Sequence, residues 1–563
     1  MKKIFLFLSI SLCIISCKKE VNPNSGLITE NAMVVSAYPE ASNIGSAVLQ
    51  KGGNAFDAMI ATDLALAVCY PSAGNIGGGG FMIYRTSDGK FGTLDYREKA
   101  PEKSNENMFL DSNGNVIEGK STMGGLSVGV PGTIAGLFEV HKRFGSLPFE
   151  TLIEPAIQLA RKGYVPTKDQ LKNIELYKDL FVSINGKKTL FASNFKEGDR
   201  IINEALAKTL EVIKENGKDG FYKGEVAKHI VNSINKSGGI LNINDLNNYT
   251  PKWRTPIYFK YKDLDIYSMG PPSSGGICLA QILSMIEPYN LNQYPQNSIK
   301  AIQLLVEAQR RSYSDRSKFL GDSDYNNVPI DYLINKDYLK NRMKSFSWEK
   351  ASNSESINPG DISISESEET THYSIVDNYG NAVGVTTTLN SSFGSKLFVE
   401  QGGFFLNNQM DDFSIKIGQP NLYGLIGGDV NSVQPNKRML SSMTPTIVEK
   451  DGKLSLVLGT PGGSTIITSV LQTILNIYEY GMPVQKAVNS PRFHHQWFPD
   501  NIVFEPNAFG EKIIEDLKRM GYRIDSSKNK FLGRVDAIYI NQDNLLSAAA
   551  DPRGDDNAQY LTE

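Results

Sequence analysis

Cysteine is scarce, with four residues in 563: Cys13, Cys17, Cys69 and Cys278. Two fall in the first seventeen positions, and Cys69 and Cys278 lie in apolar runs, where they read as buried small hydrophobes. The chain therefore encodes neither a disulfide framework nor a cysteine-rich metal site. An excess of basic charge is also missing: 58 Lys and Arg stand against 61 Asp and Glu, for a formal net charge of −3. With no basic domain or tail, a nucleic-acid-binding protein has no electrostatic footprint here. Beyond the N-terminus no apolar run is long enough to span a membrane; the most apolar helical stretch, 55–70, is short and carries Asp57 and Asp63. Internal repeats and low-complexity tracts are lacking too. The adjacent pair His494-His495 is a poor metal site, because neighbouring side chains diverge and no carboxylate or histidine stands at ligand spacing. No metal and no cofactor is expected.

What is present begins with a targeting segment, residues 1–16. Lys2-Lys3 supply positive charge and residues 4–15 an apolar core too short to span a bilayer. Ile15-Ser16-Cys17 resembles a bacterial lipobox, with cleavage before Cys17 and lipidation of its thiol; the alternative is an ordinary signal with an incidental cysteine. Stable anchoring needs two or more acyl chains, at about 0.8 kcal/mol per buried CH₂. The expected location is the cell envelope, lipid-anchored, on the periplasmic side or the surface.

The remainder is 40% hydrophobic and 21% charged, which gives ample core. Length alone suggests three or four domains. Apolar periodicity predicts helices at 41–50, 55–70, 133–144, 149–162, 204–216, 224–236, 298–318 and 465–480. Residues 183–200, rich in Lys, Asn and Gly, read as an exposed loop. Asn75-Ile76-Gly77-Gly78-Gly79-Gly80-Phe81 precedes a strand rather than a helix, and no Walker lysine follows, so close backbone packing explains the glycines better than phosphate does. His141 reads as a core-edge residue of its helix. Ser273 and Ser274 lack the Gly-x-Ser-x-Gly elbow of a hydrolase nucleophile.

The chain is organised around residues 366–412. An acidic loop, 363–369, gives way abruptly to Thr370-Thr371-His372-Tyr373-Ser374-Ile375-Val376, a β-branched and aromatic run that reads as a strand. The turn 377–381 returns the chain as a second strand, 382–389, forming a hairpin. This places Thr370 at the first position of a core strand. A threonine there is usually a good strand former; it becomes a nucleophile only with a nearby base, and one source is its own amine once the chain is cut in front of it. Farther on, strands at 444–449 and 454–459 lead through Pro461-Gly462-Gly463 into a helix. Amide groups at such a helix start suit an oxyanion, although a tight turn with no catalytic role has the same appearance.

Thr370-Thr371-His372-Tyr373-Ser374, Thr388-Leu389-Asn390 and Leu406-Asn407-Asn408-Gln409-Met410-Asp411-Asp412-Phe413 together resemble the γ-glutamyltranspeptidase family. Asp95-Tyr96-Arg97-Glu98, Pro435-Asn436-Lys437-Arg438, Leu440-Ser441-Ser442-Met443, Gly459-Thr460-Pro461-Gly462-Gly463-Ser464 and Pro491-Arg492-Phe493-His494-His495-Gln496 follow the same family in order, from about residue 29 to the C-terminus. The resemblance implies an α+β fold, the N-terminal-nucleophile hydrolase αββα sandwich of two stacked sheets between helical layers, built as one core from both fragments of a self-cleaved chain. Cleavage between Glu369 and Thr370 would give a large fragment, 17–369, and a small one, 370–563, associated as a heterodimer.

The resemblance also implies roles. Thr370 is the nucleophile, and its freed α-amine the base. Thr388 orients it, and the Gly462 and Gly463 amides hold the oxyanion. Arg97, Ser441 and Ser442 take the donor's α-carboxylate, while Asp412, Asn390 and Gln409 take its α-ammonium. Tyr423, in the 417–429 loop, belongs to a lid. The reaction is γ-glutamyl transfer from glutathione and similar donors to water or to amino-acid and peptide acceptors. Two departures from the family pattern are visible, Thr465 and Met439, neither in a ligand role. The nearest alternative is an acylase of the same fold acting on glutaryl amides; the alternative of another class is a non-catalytic, peptide- or glycan-binding envelope lipoprotein, which would stay one chain.

Overall fold

In the computed structural model, residues 26–358, 370–416, 428–525 and 531–561 are described. The expected signal segment with Cys17, the expected cleavage residue Glu369 and Tyr423, expected in a lid, lie outside them.

Fourteen strands form two antiparallel sheets of seven. In spatial order the first runs Leu27–Thr29, Leu546–Ala549, Asp536–Ile540, Lys453–Gly459, Thr446–Lys450, Leu264–Ser268 and Ile257–Tyr261. The second runs Asn557–Tyr560, Met33–Ser36, Thr371–Val376, Ala382–Thr388, Gly79–Arg85, Phe91–Asp95 and Lys252–Arg254. Strand periodicity divides each strand between two cores. On Met33–Ser36, Val34 faces the helices Pro39–Gln50 and Ala55–Cys69, whereas Met33 and Val35 meet Val457, Ile538 and Ala548 between the sheets. On the far side, Leu456 and Leu458 pack with Gly275–Ile286, Ile299–Phe319 and Thr465–Tyr478. The layers are thus helix, sheet, sheet, helix.

Both sheets draw strands from before and after position 370. The several-domain expectation from length fails for this reason: the two stretches share one composite core. The hairpin around the turn 377–381 is central in the second sheet, and every residue of Thr371–Val376 and Ala382–Thr388 is buried, as two-faced packing demands. His372 lies between the sheets, its Nδ1 2.9 Å from Thr386 Oγ1 and its Nε2 3.0 Å from Ser374 Oγ. A Cβ on Gly459 would come within 2.4 Å of that imidazole, so the facing strand needs glycine there.

The Gly77–Gly80 run is indeed a close approach of backbones. A Cβ on Gly77 or Gly78 would stand 2.2 Å from the Phe405 carbonyl oxygen or 2.1 Å from that of Thr388. Helix Ala55–Cys69 starts on a capping box between Asn54 and Asp57. The loop expected at 183–200 is present over 186–200, most of it at the surface, with two differences: a helix, Lys168–Asn185, runs into its start, and a short turn, Leu190–Ala192, buries Phe191 among Phe181, Phe393, Phe398 and Phe405. The polar composition describes that segment's outer face, while the four aromatic side chains around Phe191 supply its inner one. Met439 is fully buried in a small cluster with Phe109, Met410, Phe413 and Val433, so this departure from the family pattern is part of the packing.

Candidate active site

Thr370 immediately precedes Thr371–Val376 and is 5% exposed. The pairing of Thr371 with Thr387 carries the ladder to the next position, where Thr388 Oγ1 lies 3.4 Å from Thr370 Oγ1. Thr388 is fixed in turn: its hydroxyl accepts from the Asn390 N–H at 2.8 Å, and its carbonyl accepts from Asn75 Nδ2 at 2.9 Å. Asn75 is a positioning residue that the sequence reading passed over. Its Oδ1 accepts from the Gly78 N–H and from Thr133 Oγ1, both at 2.8 Å, tying the glycine run to the nucleophile hairpin. The only signal was an asparagine opening a Gly-rich turn.

On one side of Thr370 lies a cavity of about 340 Å³ that Thr370 shares with Pro461 and Gly462. Gly462 has φ +128° and Gly463 φ +54°, angles that favour glycine. A Cβ on Gly462 would also meet Thr465 Oγ1 at 2.5 Å. Thr465 opens the helix Thr465–Tyr478; its N–H and hydroxyl donate to the Gly462 carbonyl at 3.0 and 2.6 Å. Thr465, the second departure, thus locks the turn. With that carbonyl engaged, the turn's amides are held at a helix start, where partial positive charge favours an anion.

On the other side an unbroken chain of contacts leads to a charged pair. Asn390 Nδ2 donates to the Asn408 carbonyl at 3.1 Å. Gln409, next along, donates through Nε2 to Asp412 Oδ2 at 3.1 Å. Asp412 Oδ2 pairs directly with Arg97 Nη2, which also donates to the Leu440 carbonyl at 3.1 Å, beside Ser441 and Ser442. Arg97 is 1% exposed, so a full charge is buried against a carboxylate. Burial pushes the Asp412 carboxyl up, and Arg97 opposes the shift. Gln409 Oε1 is buried without a hydrogen-bond partner among the described residues, an acceptor available to a donor group.

Two groups here were missed. Glu98 is buried, 3.9 Å from Arg97, with its carboxyl pushed up to about 8 by burial. Arg316, from helix Ile299–Phe319, donates to Ser442 Oγ at 3.0 Å and Ser274 Oγ at 2.8 Å. Ser273 and Ser274 hold backbone instead, donating to the carbonyls of Met443 and Ser441 at 2.7 Å each. His494 and His495 face different partners: His494 contacts Thr468 and Gln496, and His495 contacts Asp500. Among the described residues no group of three His, Cys, Asp or Glu side chains is placed to hold a metal.

The family model for gamma-glutamyltranspeptidase matches residues 41–561. The chain belongs to the gamma-glutamyltranspeptidase family. It is 43% identical over 532 residues to a glutathione hydrolase proenzyme of Escherichia coli, covering 94% of this chain and 91% of that one. Among solved structures, the gamma-glutamyltranspeptidase of Helicobacter pylori aligns at 42% identity and TM-score 0.57, over 61% of this chain and 97% of that chain. A cephalosporin acylase from Bacillus halodurans superposes over the whole chain at TM-score 0.83 and 23% identity, a likeness of fold alone. The αββα frame is therefore that of gamma-glutamyltranspeptidases and related N-terminal-nucleophile hydrolases. Within it, this family member brings Thr370, Thr388, Asn390, Gln409, Asp412 and Arg97 into one network, while Gly462 shares with Thr370 a cavity that neither Arg97 nor Asp412 lines.

Proposed function

We propose that the chain is a precursor that cuts itself before Thr370 and then transfers γ-glutamyl groups from glutathione and related compounds to water or to amino-acid and peptide acceptors. In the first step Thr370 Oγ1 attacks the carbonyl carbon of residue 369; the C–N bond breaks as the acyl group shifts to oxygen, which frees the α-amine, and water then hydrolyses the ester to the residue 369 carboxylate and the Thr370 hydroxyl. An α-amine titrates at about 7.7–8.0 in reference peptides, so it can take the hydroxyl proton near neutral pH. Thr370 then attacks the donor's γ-carbonyl, the leaving amine takes a proton, and the γ-glutamyl ester is resolved by water or by an acceptor amine. Thr388 orients the nucleophile, and the Gly462 and Gly463 amides receive the oxyanion.

The observation that carries this reading is Thr370 set between two different environments: a Gly462 turn across an open cavity on one side, and the buried Arg97–Asp412 pair on the other. A donor head group is a zwitterion. Its carboxylate replaces Asp412 at Arg97, aided by Ser441 and Ser442, while its ammonium replaces Arg97 at Asp412, aided by Gln409 and Asn390. One buried pair becomes two, so no charge is left unpaired. A glutaryl amide has no ammonium to offer Asp412, which argues against the acylase alternative. Cys69 and Cys278 are both buried, form no disulfide and both precede position 370, so among the described residues the fragments are held by the shared sheets rather than by a disulfide. Placement in the cell envelope through a lipid on Cys17 is part of the same proposal; Ile15-Ser16-Cys17 supports it.

Purified protein run on a denaturing gel with N-terminal sequencing tests the reading. Two fragments, the smaller beginning at Thr370, are expected. Thr370→Ala should remain one inactive chain, and Thr370→Ser should cleave more slowly. A cleaved Thr370→Ala protein, or an active uncut wild type, would refute it.

A further inference from the structure

The loop that leaves Thr388 holds an unusual residue. Lys396 is 5% exposed and has φ +60°, in the left-handed region that favours glycine. A buried lysine is uncommon in itself, and a residue with a Cβ is strained at such an angle. Asn390 at φ +78°, Phe393 at +58° and Gly394 at +52° share the region, so the chain curls tightly from Asn390 to Lys396. The curl turns the lysine side chain back into its own loop. Its Nζ donates to Ser391 Oγ at 2.7 Å and to the Gly394 carbonyl at 2.8 Å, and lies 5.1 Å from the Tyr177 ring centroid. From outside the loop, Asn185 Nδ2 donates to the Lys396 carbonyl at 2.7 Å.

The lysine sets the direction of the hydrogen bonds around it. An ammonium can only donate, so Ser391 Oγ accepts from Nζ and must give its one proton elsewhere. Two acceptors are within reach, the Gly394 carbonyl at 3.1 Å and Asn408 Oδ1 at 3.2 Å. Nζ already donates to the carbonyl, which leaves Asn408 as the better acceptor. Asn408 Oδ1 also takes the Ser391 N–H at 3.0 Å, so one residue holds it with both of its donors. Asn408 in turn joins the two arms of the site assigned to the donor's ammonium. Its carbonyl accepts from Asn390 Nδ2 at 3.1 Å, and Gln409, next in the chain, donates to Asp412. With Nδ2 engaged there, Oδ1 is the end of the Asn390 amide that can accept from a cation.

We propose that Lys396 is a positioning residue for donor recognition: through Ser391 and Asn408 it holds the Asn390 amide with its oxygen turned to the donor's α-ammonium. This rests on the γ-glutamyl transfer reading above. Lys396 acts through these residues rather than by touching the donor.

The test measures kcat/KM for γ-glutamyl-p-nitroanilide and glutaryl-p-nitroanilide, the latter at high enzyme concentration, with cleaved wild type and variants. The ratio of the two values reads the ammonium and cancels any general loss of activity. Lys396→Met keeps the buried stem and the backbone angle without the donor, and Lys396→Gly suits the angle without the donor. In both, the ratio should fall about tenfold, the lower end of what a hydrogen bond to a charged group is worth. Ser391→Ala cuts the same relay with the lysine in place; it should lower the ratio similarly, and it carries the test if the Lys396 variants do not mature. Combining Lys396→Met with Ser391→Ala should lower the ratio no further than either alone, because both break one chain of contacts. An unchanged ratio in a mature variant, or losses that multiply in the double variant, would overturn the assignment. A wild-type ratio in Lys396→Gly would do the same, by reducing the lysine to a matter of backbone angle. Normal p-nitroaniline release from the γ-glutamyl donor beside such a result would leave the γ-glutamyl reading standing; no release by wild type would overturn both.

Discussion

Replacing Asp412 by asparagine separates the two functions the buried pair performs. Asp412 keeps 9% side-chain exposure and faces Arg97, which keeps 1%. The substitution is nearly isosteric but removes the charge that answers a buried guanidinium. Breaking such a pair from one side costs about 3–5 kcal/mol when nothing compensates. Compensation is at hand in Glu98, 3.9 Å from Arg97, whose carboxyl is raised to about 8, chiefly by burial and in part by the Asp412 charge. Without Asp412 it should ionise and carry part of the loss, so Asp412→Asn should fold, with a lowered Tm. The catalytic effect depends on the donor. A γ-glutamyl donor loses a hydrogen bond between two charges, worth about 1.5–3 kcal/mol, or about 10- to 150-fold in kcat/KM. A glutaryl donor has no ammonium and should lose little. The assay compares γ-glutamyl-p-nitroanilide with glutaryl-p-nitroanilide on wild type and variant. Equal losses on both donors would show that Asp412 does not read the ammonium, and would return the acylase alternative to consideration.

Arg97→Lys should lower kcat/KM for γ-glutamyl-p-nitroanilide by about tenfold or more, because a point charge replaces a fork that takes a carboxylate bidentately; an unchanged value would remove Arg97 from the carboxylate role. His372 is held neutral, its imidazole pushed down to about 3 by burial between the sheets. Its folded value lies below the unfolded value of about 6.5, so the stability it confers is full above pH 6.5 and is lost as pH falls toward 3, at up to about 1.4 kcal/mol per pH unit. Tm should fall between pH 7 and pH 5, and the fall should shrink in a folded His372→Gln variant; an equal fall in both would assign the acid sensitivity elsewhere. Cys17→Ala should move activity from the membrane fraction to the soluble extract, and continued sedimentation would place the anchor elsewhere.

Local order in the sequence determined a good deal. The step from an acidic loop to a β-branched run put Thr370 at the head of a strand, because alternation and turn residues act over a few positions. The four glycines at 77–80 announced close backbone contact, which the Phe405 and Thr388 carbonyls supply. Ordered motifs implied the ligand set through family resemblance. Only the tertiary structure decided how these pieces meet. Arg97 and Asp412 are 315 residues apart and become partners through the folded core. Asn75 clamps the nucleophile hairpin, and Arg316 reaches Ser442 from a helix whose sequence reads only as amphipathic. Phe191 is buried in a segment of loop-like composition. The cavity beside Thr370 draws Tyr70, Gln170, Thr370, Gly462 and Arg534 from five separate stretches. Periodicity and turn chemistry are short-range properties of the chain, whereas strand order and the packing of helices on sheets are set by which distant apolar faces bury one another, and those choices place the charges.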